Sequence, residues 1–324
     1  MRRTDRQDGF KMNLHRVEIG GLKTPNNVFL APLAGYTNAV FRAMCLKLGA
    51  GLAFTEMVSA KGLCYDSANT RELLQLTPAY AAINAVQLFG GEPEFMRRAC
   101  LSKDVEPFDL IDINFGCPVP KIFKNGEGSA LLADIPMAQK IVRAAKDSGK
   151  PVSVKFRIGL DGEHIVTRDF AVAMQDAGAD MITIHGRTRD RMYSGEVNYA
   201  EIAKAKAAVS IPVIANGGVF CKADAERLLN ETGADGVMVA RGAMYNPFVF
   251  AEITGTPYSD KKEIISEQLK STFENYDERF ATVYMRKMLS FYVKGLPSAT
   301  AIRQKLMQCN SYGQIAEILD GLHF

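Results

Sequence analysis

Val213-Ile214-Ala215-Asn216-Gly217-Gly218 and, one amphipathic segment later, Gly236-Val237-Met238-Val239-Ala240-Arg241-Gly242 share one form. Each is a short β-branched run that closes on a polar or small residue and passes into glycine, as a strand does when it leaves a sheet through a tight turn. Between them, Ala223 to Leu229 carries apolar residues at helical spacing. The unit is therefore strand, turn, helix, strand. Runs of the same kind occur upstream at Val28 to Leu30, Leu52 to Thr55, Ile83 to Leu88, Leu110 to Ile113, Val152 to Phe156 and Met181 to Ile184, which makes eight in all. Amphipathic segments at Met137 to Ala145, Ile165 to Ala177 and Tyr199 to Ala207 separate several of them. An alternation of this kind specifies a parallel sheet covered by helices.

A doubly wound open sheet shares that alternation, and the strand ends favour the closed form. The residues at or just after them are Pro32, Glu56, Gln87, Asn114 with Cys117, Lys155, His185, Asn216 and Arg241. In a closed barrel all of these ends face one side, where active sites are built. The expectation is an α/β protein, a (β/α)8 TIM barrel over residues 14–254, preceded by an extension over 1–13 whose order the sequence leaves open. Thr254-Gly255-Thr256-Pro257 reads as a linker, and no strand-like run follows it. Apolar residues at helical spacing in Ile264 to Phe273, Val283 to Tyr292, Ala301 to Met307 and Ile315 to Leu322 predict a small all-helical C-terminal domain over 255–324.

Composition narrows the function classes. The chain has 324 residues, 47% hydrophobic and 23% charged, with a formal net charge of +3. That balance is globular and too mild for a protein that merely coats nucleic acid, so contact with a polyanion must be local. The six cysteines, at 45, 64, 100, 117, 221 and 309, include no pair at zinc-knuckle or redox-motif spacing. They read as reduced thiols of a cytoplasmic protein, with no metal site. Neither a signal peptide nor an apolar run of membrane-spanning length is present, and a monomer is expected.

The chemistry gathers at the strand ends. Loops after the seventh and eighth strands of such barrels commonly bind phosphate through backbone N–H groups. Asn216-Gly217-Gly218 and Ala240-Arg241-Gly242 occupy those loops, although either could be only a tight turn. Gly126-Glu127-Gly128 lacks the third glycine of a dinucleotide fingerprint, and no P-loop pattern occurs. A single phosphate carrying a ring system, that is FMN, suits the site better. Lys155 would offer an ammonium to the negative charge of a reduced flavin, and Gln87 a hydrogen bond to its polar edge. His185 reads as a flavin contact or a hydrogen-bonded core histidine. Cys117 lies in Asn114-Phe115-Gly116-Cys117-Pro118-Val119-Pro120-Lys121, a sharp turn stiffened by Gly116 and Pro118. A free thiol with a pKa of about 8.5 is protonated at neutral pH and can serve as an acid. The other five cysteines read as small hydrophobes.

Together these residues resemble the tRNA-dihydrouridine synthases of bacterial type, from about Leu14 to the C-terminus. Asn114-Phe115-Gly116-Cys117-Pro118, with Lys121, Lys124-Asn125-Gly126 and Ser129, is similar to that family's active-site loop, and the resemblance makes Cys117 the residue that protonates uracil. Ala31-Pro32-Leu33-Ala34-Gly35 resembles its first flavin loop. Gln87, Lys155, His185, Asn216-Gly217-Gly218 and Ala240-Arg241 fall on its other FMN positions. Met285-Arg286-Lys287 and Tyr292-Val293-Lys294-Gly295-Leu296-Pro297 are similar to its RNA-binding region. The sequence departs at Ala240, where many relatives have glycine, at Met288, where bacterial relatives often have histidine, and at Phe248, where many have tryptophan.

The resemblance implies reduction of the C5=C6 bond of particular tRNA uridines, with NADPH re-reducing the flavin. Asn114, Lys121, Arg286 and Lys287 are the candidate substrate contacts. Residues 281–324 hold five basic and two acidic residues, an excess that a solvated helix face would explain equally well. Two rival readings stay open: the same flavin barrel acting on a free pyrimidine or a dihydroorotate-like molecule, and a tRNA-binding chaperone with a structural flavin.

Overall fold

The computed structural model describes residues 13–77 and 80–324; most of the N-terminal extension lies outside them. A short antiparallel hairpin, β1 (Glu18–Ile19) and β2 (Leu22–Lys23), comes first. The barrel strands follow: β3 (Val28–Leu30), β4 (Leu52–Ser59), β5 (Ala85–Phe89), β6 (Leu110–Phe115), β7 (Val152–Arg157), β8 (Met181–His185), β9 (Val213–Asn216) and β10 (Gly236–Val239). They pair in parallel in chain order, and β10 returns to β3 to close the cylinder. The eight strand-like runs are thus the eight staves, with helices between them. Their limits differ locally. The third stave begins at Ala85, two residues after the run read from the sequence, and β4 continues to Ser59 through a register shift between Phe54 and Met57.

The two faces of each strand obey the period of two. Val86, Leu88, Ile111, Ile113, Val152, Val154, Ile182 and Ile184 point outward into one apolar layer with the surrounding helices. Phe29, Phe54, Ala85, Leu110, Met181, Ile214 and Met238 point inward and fill the lower half of the cylinder. Val17 and Ile19 of the hairpin belong to that inner cluster. The hairpin turn is pressed against the strand beginnings, since a Cβ on Gly20 would lie 2.8 Å from Pro151 and 3.0 Å from Asp180. The sequence reading had no place for this plug. Above the apolar layers the same inward positions become polar, with Gln87, Asp112, Asn114, Ser153, Thr183, His185 and Asn216 all buried.

After β10 the chain is helical. Gly255, at φ +74°, ends the helix Val249–Thr254. Four helices follow, Lys261–Asn275, Glu278–Tyr292, Ala299–Gln308 and Tyr312–Asp320. Asp260, Asp277 and Ser311 cap three of them by accepting first-turn N–H groups. Their buried residues, among them Ile264, Leu269, Met285 and Leu289, continue the apolar layer that covers the barrel. Among the described residues no helix is long and apolar enough to cross a membrane, and no cluster of His, Cys, Asp or Glu could hold a metal ion.

Because Ile19 is fully buried at the plugged end, Ile19→Ala is expected to destabilise the protein by about 2–4 kcal/mol through the cavity it leaves. Urea unfolding followed by circular dichroism checks this; an unchanged midpoint would show that the hairpin closes nothing.

Candidate active site

The strand ends surround a cleft of about 290 Å³. Pro32, Leu33 and Ala34 form one wall, and Gln87, Asn114 and Cys117 the next. Lys155 and His185 follow, and Asn216-Gly217-Gly218 with Ala240-Arg241 complete the ring. Every cofactor position read from the sequence, together with Asn114 and Cys117, therefore lines one cavity. The remaining candidates do not. Lys121 is exposed on the short helix Pro120–Lys124. Arg286 and Lys287 lie on Glu278–Tyr292, where Arg286 Nη1 donates to the Cys309 carbonyl at 3.1 Å and Lys287 Nζ to that of Gly35.

A buried hydrogen-bond chain seats the Cys117 turn. Asp112, at the centre of the barrel, accepts from Ser153 Oγ at 2.6 Å and from Gln87 Nε2 at 2.6 Å. Gln87 Oε1 accepts from Asn114 Nδ2 at 2.9 Å. Asn114 Oδ1 then accepts the backbone N–H groups of Gly116 at 3.0 Å and Cys117 at 2.8 Å. A carboxylate only accepts and an N–H only donates, so the two ends dictate which way both amides face. On the far side of the turn, Ser129 Oγ and the Ser129 N–H both donate to the Cys117 carbonyl, at 2.7 and 3.1 Å. Cys117 is left 8% exposed at the cleft wall. Burial raises its thiol pKa, and this outweighs the lowering by the Val119 N–H and by Arg157 and Lys155. The thiol thus keeps its proton at neutral pH.

Cations stand beside the Cys117 turn, on the neighbouring strand β7, and continue round the cleft to Arg241 after β10. Burial pulls Lys155 down to about 8, helped by Arg157 and opposed by Asp112. Burial pushes Asp112 up to about 6 against its two hydrogen bonds and Lys155. Both members of this pair are therefore mainly charged near pH 7. Arg157 donates to the carbonyls of Gly116, Thr188 and Met192, and Arg187 to that of Gly195. Arg241 leans on the Tyr193 ring with its guanidinium 4.7 Å from the centroid. These three guanidiniums contact carbonyls and rings, so their charge remains available to an anion. His185 Nε2 lies 3.4 Å from Arg187 Nη1. Arginine can only donate, so this nitrogen accepts and the proton sits on Nδ1. Burial and the surrounding cations hold His185 well below the usual imidazole range, hence neutral.

Gly217 and Gly218, at φ +124° and +75°, turn the chain back over β9 with their backbone open to the cleft. Gly242 fits because a Cβ there would stand 2.2 Å from the Val219 carbonyl oxygen. The two glycine loops consequently touch, beside Arg241, as an anion site requires. Sequence reasoning missed Asp112, Ser153, Arg157 and Arg187. Parity could have found the first three, since Asp112 precedes Asn114 by two residues on one strand face, and Ser153 and Arg157 flank Lys155 in the same way. Cys221, read as a small hydrophobe, is exposed at the N-cap of the helix Lys222–Thr232.

A model of the dihydrouridine synthase family matches residues 29–322. "Probable tRNA-dihydrouridine synthase 1" of Synechocystis is 38% identical over 317 residues, covering 94% of this chain and 88% of that protein. "tRNA-dihydrouridine synthase B" of Vibrio cholerae is 34% identical over 316 residues, covering 94% and 98%. Among solved structures, the old yellow enzyme homologue from Zymomonas mobilis superposes with a TM-score of 0.55 at 13% identity, covering 77% of this chain and 94% of that one. This last likeness is one of fold alone. With a family model spanning nearly the whole barrel and helical region, and relatives at 34–38% identity along almost their full length, the chain belongs to the dihydrouridine synthase family of oxidoreductases.

Proposed function

We propose that this protein reduces the C5=C6 bond of specific uridines in tRNA to 5,6-dihydrouridine, with resident FMN, NADPH as the reductant that recharges it, and Cys117 as the proton donor. The observation that carries the reading is a protonated thiol fixed by its own backbone, with Lys155 and Arg157 beside it, in a cleft whose far side holds Arg241 and two touching glycine loops.

The residues present fit such a cofactor. A Cβ on Gly217 would stand 3.1 Å from both His185 Cδ2 and Val197 Cγ2, so this loop is built for close backbone approach. Asn216-Gly217-Gly218, Ala240 and Arg241 would hold the phosphate. Pro32, Leu33, Ala34, Gln87, Lys155 and His185 would hold the ring system. When bound, reduced FMN supplies a hydride. The uracil C4 carbonyl polarises C5=C6, so a hydride received at C6 leaves an enolate-like charge over C5 and O4. Proton transfer from Cys117 Sγ to C5 quenches that charge and leaves a thiolate, which recovers its proton from solvent. Lys155 and Arg157 stabilise that thiolate through their charge. A nucleophilic role for Cys117 needs a base to take its proton; among the described residues Glu127 is the carboxylate that acts on the thiol's charge, and none of the hydrogen bonds of the turn brings it to Sγ. The target uridine must be unstacked to enter the cleft, and exposed Lys121 and Lys124 lie on the short helix that follows the Cys117 turn. This reading implies a cytoplasmic protein that works as a monomer.

Replacing the thiol leaves the turn's backbone bonds intact. Cys117→Ala is therefore expected to keep its yellow cofactor while losing at least about 100-fold in dihydrouridine formation, read as a gain of two mass units on uridine in tRNA given NADPH. Full activity in the variant would remove Cys117 from the chemistry. FMN affinity should also depend on pH. The Lys155 cation of the free protein is present below its pKa of about 8 and lost above it, so binding should weaken as pH rises through that value. Fluorescence titration reads this. Lys155→Met should abolish the dependence, whereas Asp112→Asn, which removes the opposing charge, should move its midpoint down by about one unit. A midpoint unmoved by Asp112→Asn would show that the two groups are not coupled.

A further inference from the structure

The helix Glu278–Tyr292 grips the loop that follows β3. Tyr284 Oη donates to the Tyr36 carbonyl at 2.7 Å, and Lys287 Nζ donates to the Gly35 carbonyl. From the barrel, the Glu56 carboxylate accepts the Gly35 N–H at 2.5 Å. Gly35 thus has its carbonyl bonded by the helical region and its N–H bonded by the barrel. The loop transmits that hold. The N–H groups of Tyr36 and Thr37 both donate to the Leu33 carbonyl, at 3.0 and 3.1 Å, and Thr37 Oγ1 accepts from the Leu33 N–H at 3.0 Å. Leu33 and Ala34, on the other side of this tight turn, form a wall of the cleft.

Lys287 is poorly placed to meet a phosphate. Its half-buried ammonium lies 4.0 Å from the Tyr36 ring centroid and 5.2 Å from that of Tyr284, an arrangement that attracts the cation and shields it. Its charge is also opposed by the nearby Glu56 carboxylate, which Lys287 and Arg42 pull toward the ionised form against burial. Lys294, by contrast, is exposed.

We infer that Lys287 and Tyr284 are positioning residues for the cofactor: by clamping Gly35 and Tyr36 they hold the Pro32-Leu33-Ala34 wall, so that the helical region completes the flavin site. The inference rests on the FMN reading above. It gives that region a second task beside any contact with RNA, and it removes Lys287 from the phosphate-binding set.

The test uses the full chain with Lys287→Met, which keeps the apolar stem, and Tyr284→Phe, which removes a single hydroxyl. Each should speed FMN release about tenfold, the effect of one lost hydrogen bond. The affinity for unmodified tRNA and the slope of log Kd against log salt should stay as in the parent. A slope lower by about one in Lys287→Met with FMN release unchanged would make Lys287 a phosphate contact and overturn the inference. Unchanged release in both variants with an unchanged slope would overturn it as well. Amide hydrogen exchange over residues 33–37 in flavin-free protein supplies an arm independent of the cofactor. Faster exchange in both variants supports the clamp, and parental protection in both refutes it. Should the parent bind no FMN at all, the functional reading fails, while the exchange arm still decides whether the helix holds the loop.

Discussion

Burying a carboxylate at the centre of a barrel costs several kcal/mol of lost hydration, and Asp112 is fully buried. It persists because both oxygens accept hydrogen bonds, from Ser153 and Gln87, and because Lys155 stands close enough to oppose its charge. What the protein gains is direction. Amide side chains can turn over at little cost when their neighbours are indifferent, but a carboxylate at one end and two backbone N–H groups at the other leave Gln87 and Asn114 one arrangement each. The Cys117 turn is thereby referenced to the middle of the barrel, although it sits on a loop at its edge.

The same pair sets the conditions under which the site is whole. With Asp112 near 6 and Lys155 near 8, the interval between them is the range in which both are charged. Below it the protonated carboxyl becomes a donor, and the sense of the amide chain is no longer enforced. Above it Lys155 loses its charge, and the guanidiniums of Arg157, Arg187 and Arg241 are the cations left in the cleft. Cys117, raised by burial, and His185, held neutral by burial and its cationic neighbours, keep their forms through that whole interval.

Much of this was legible in the residues, and the failures have physical causes. The barrel staves were readable because outward positions such as Val152 and Val154 must be apolar against helices, while the rim residues announce themselves as polar strand ends. Parity carried more than was taken from it: Asp112 and Arg157 share the inward faces of Asn114 and Lys155, and a strand limit drawn one residue short at Phe156 hid the arginine. The hairpin could not be read, because strands of two residues show no alternation. Lys287 was legible as a cation in a basic tail. Its partners were not, since Gly35 lies 252 residues away in sequence and only the folded helix brings the two together.

That distance bears on how the two parts of the chain relate. A barrel and an appended bundle joined by a flexible linker would be expected to bury separate cores. Here Tyr284, Met285, Met288 and Leu289 share one apolar cluster with the helices around the barrel. Tyr276 Oη donates to Gln75 and accepts from the Ala39 N–H. The Thr254-Gly255-Thr256-Pro257 segment therefore marks a change of secondary structure with packing continuous across it. A helix fixed in this way presents its outer face at a constant distance from the cleft. The proposed reduction would draw on that arrangement, because a substrate resting on the outer face would be positioned against the cleft by the packing between the two parts of the chain.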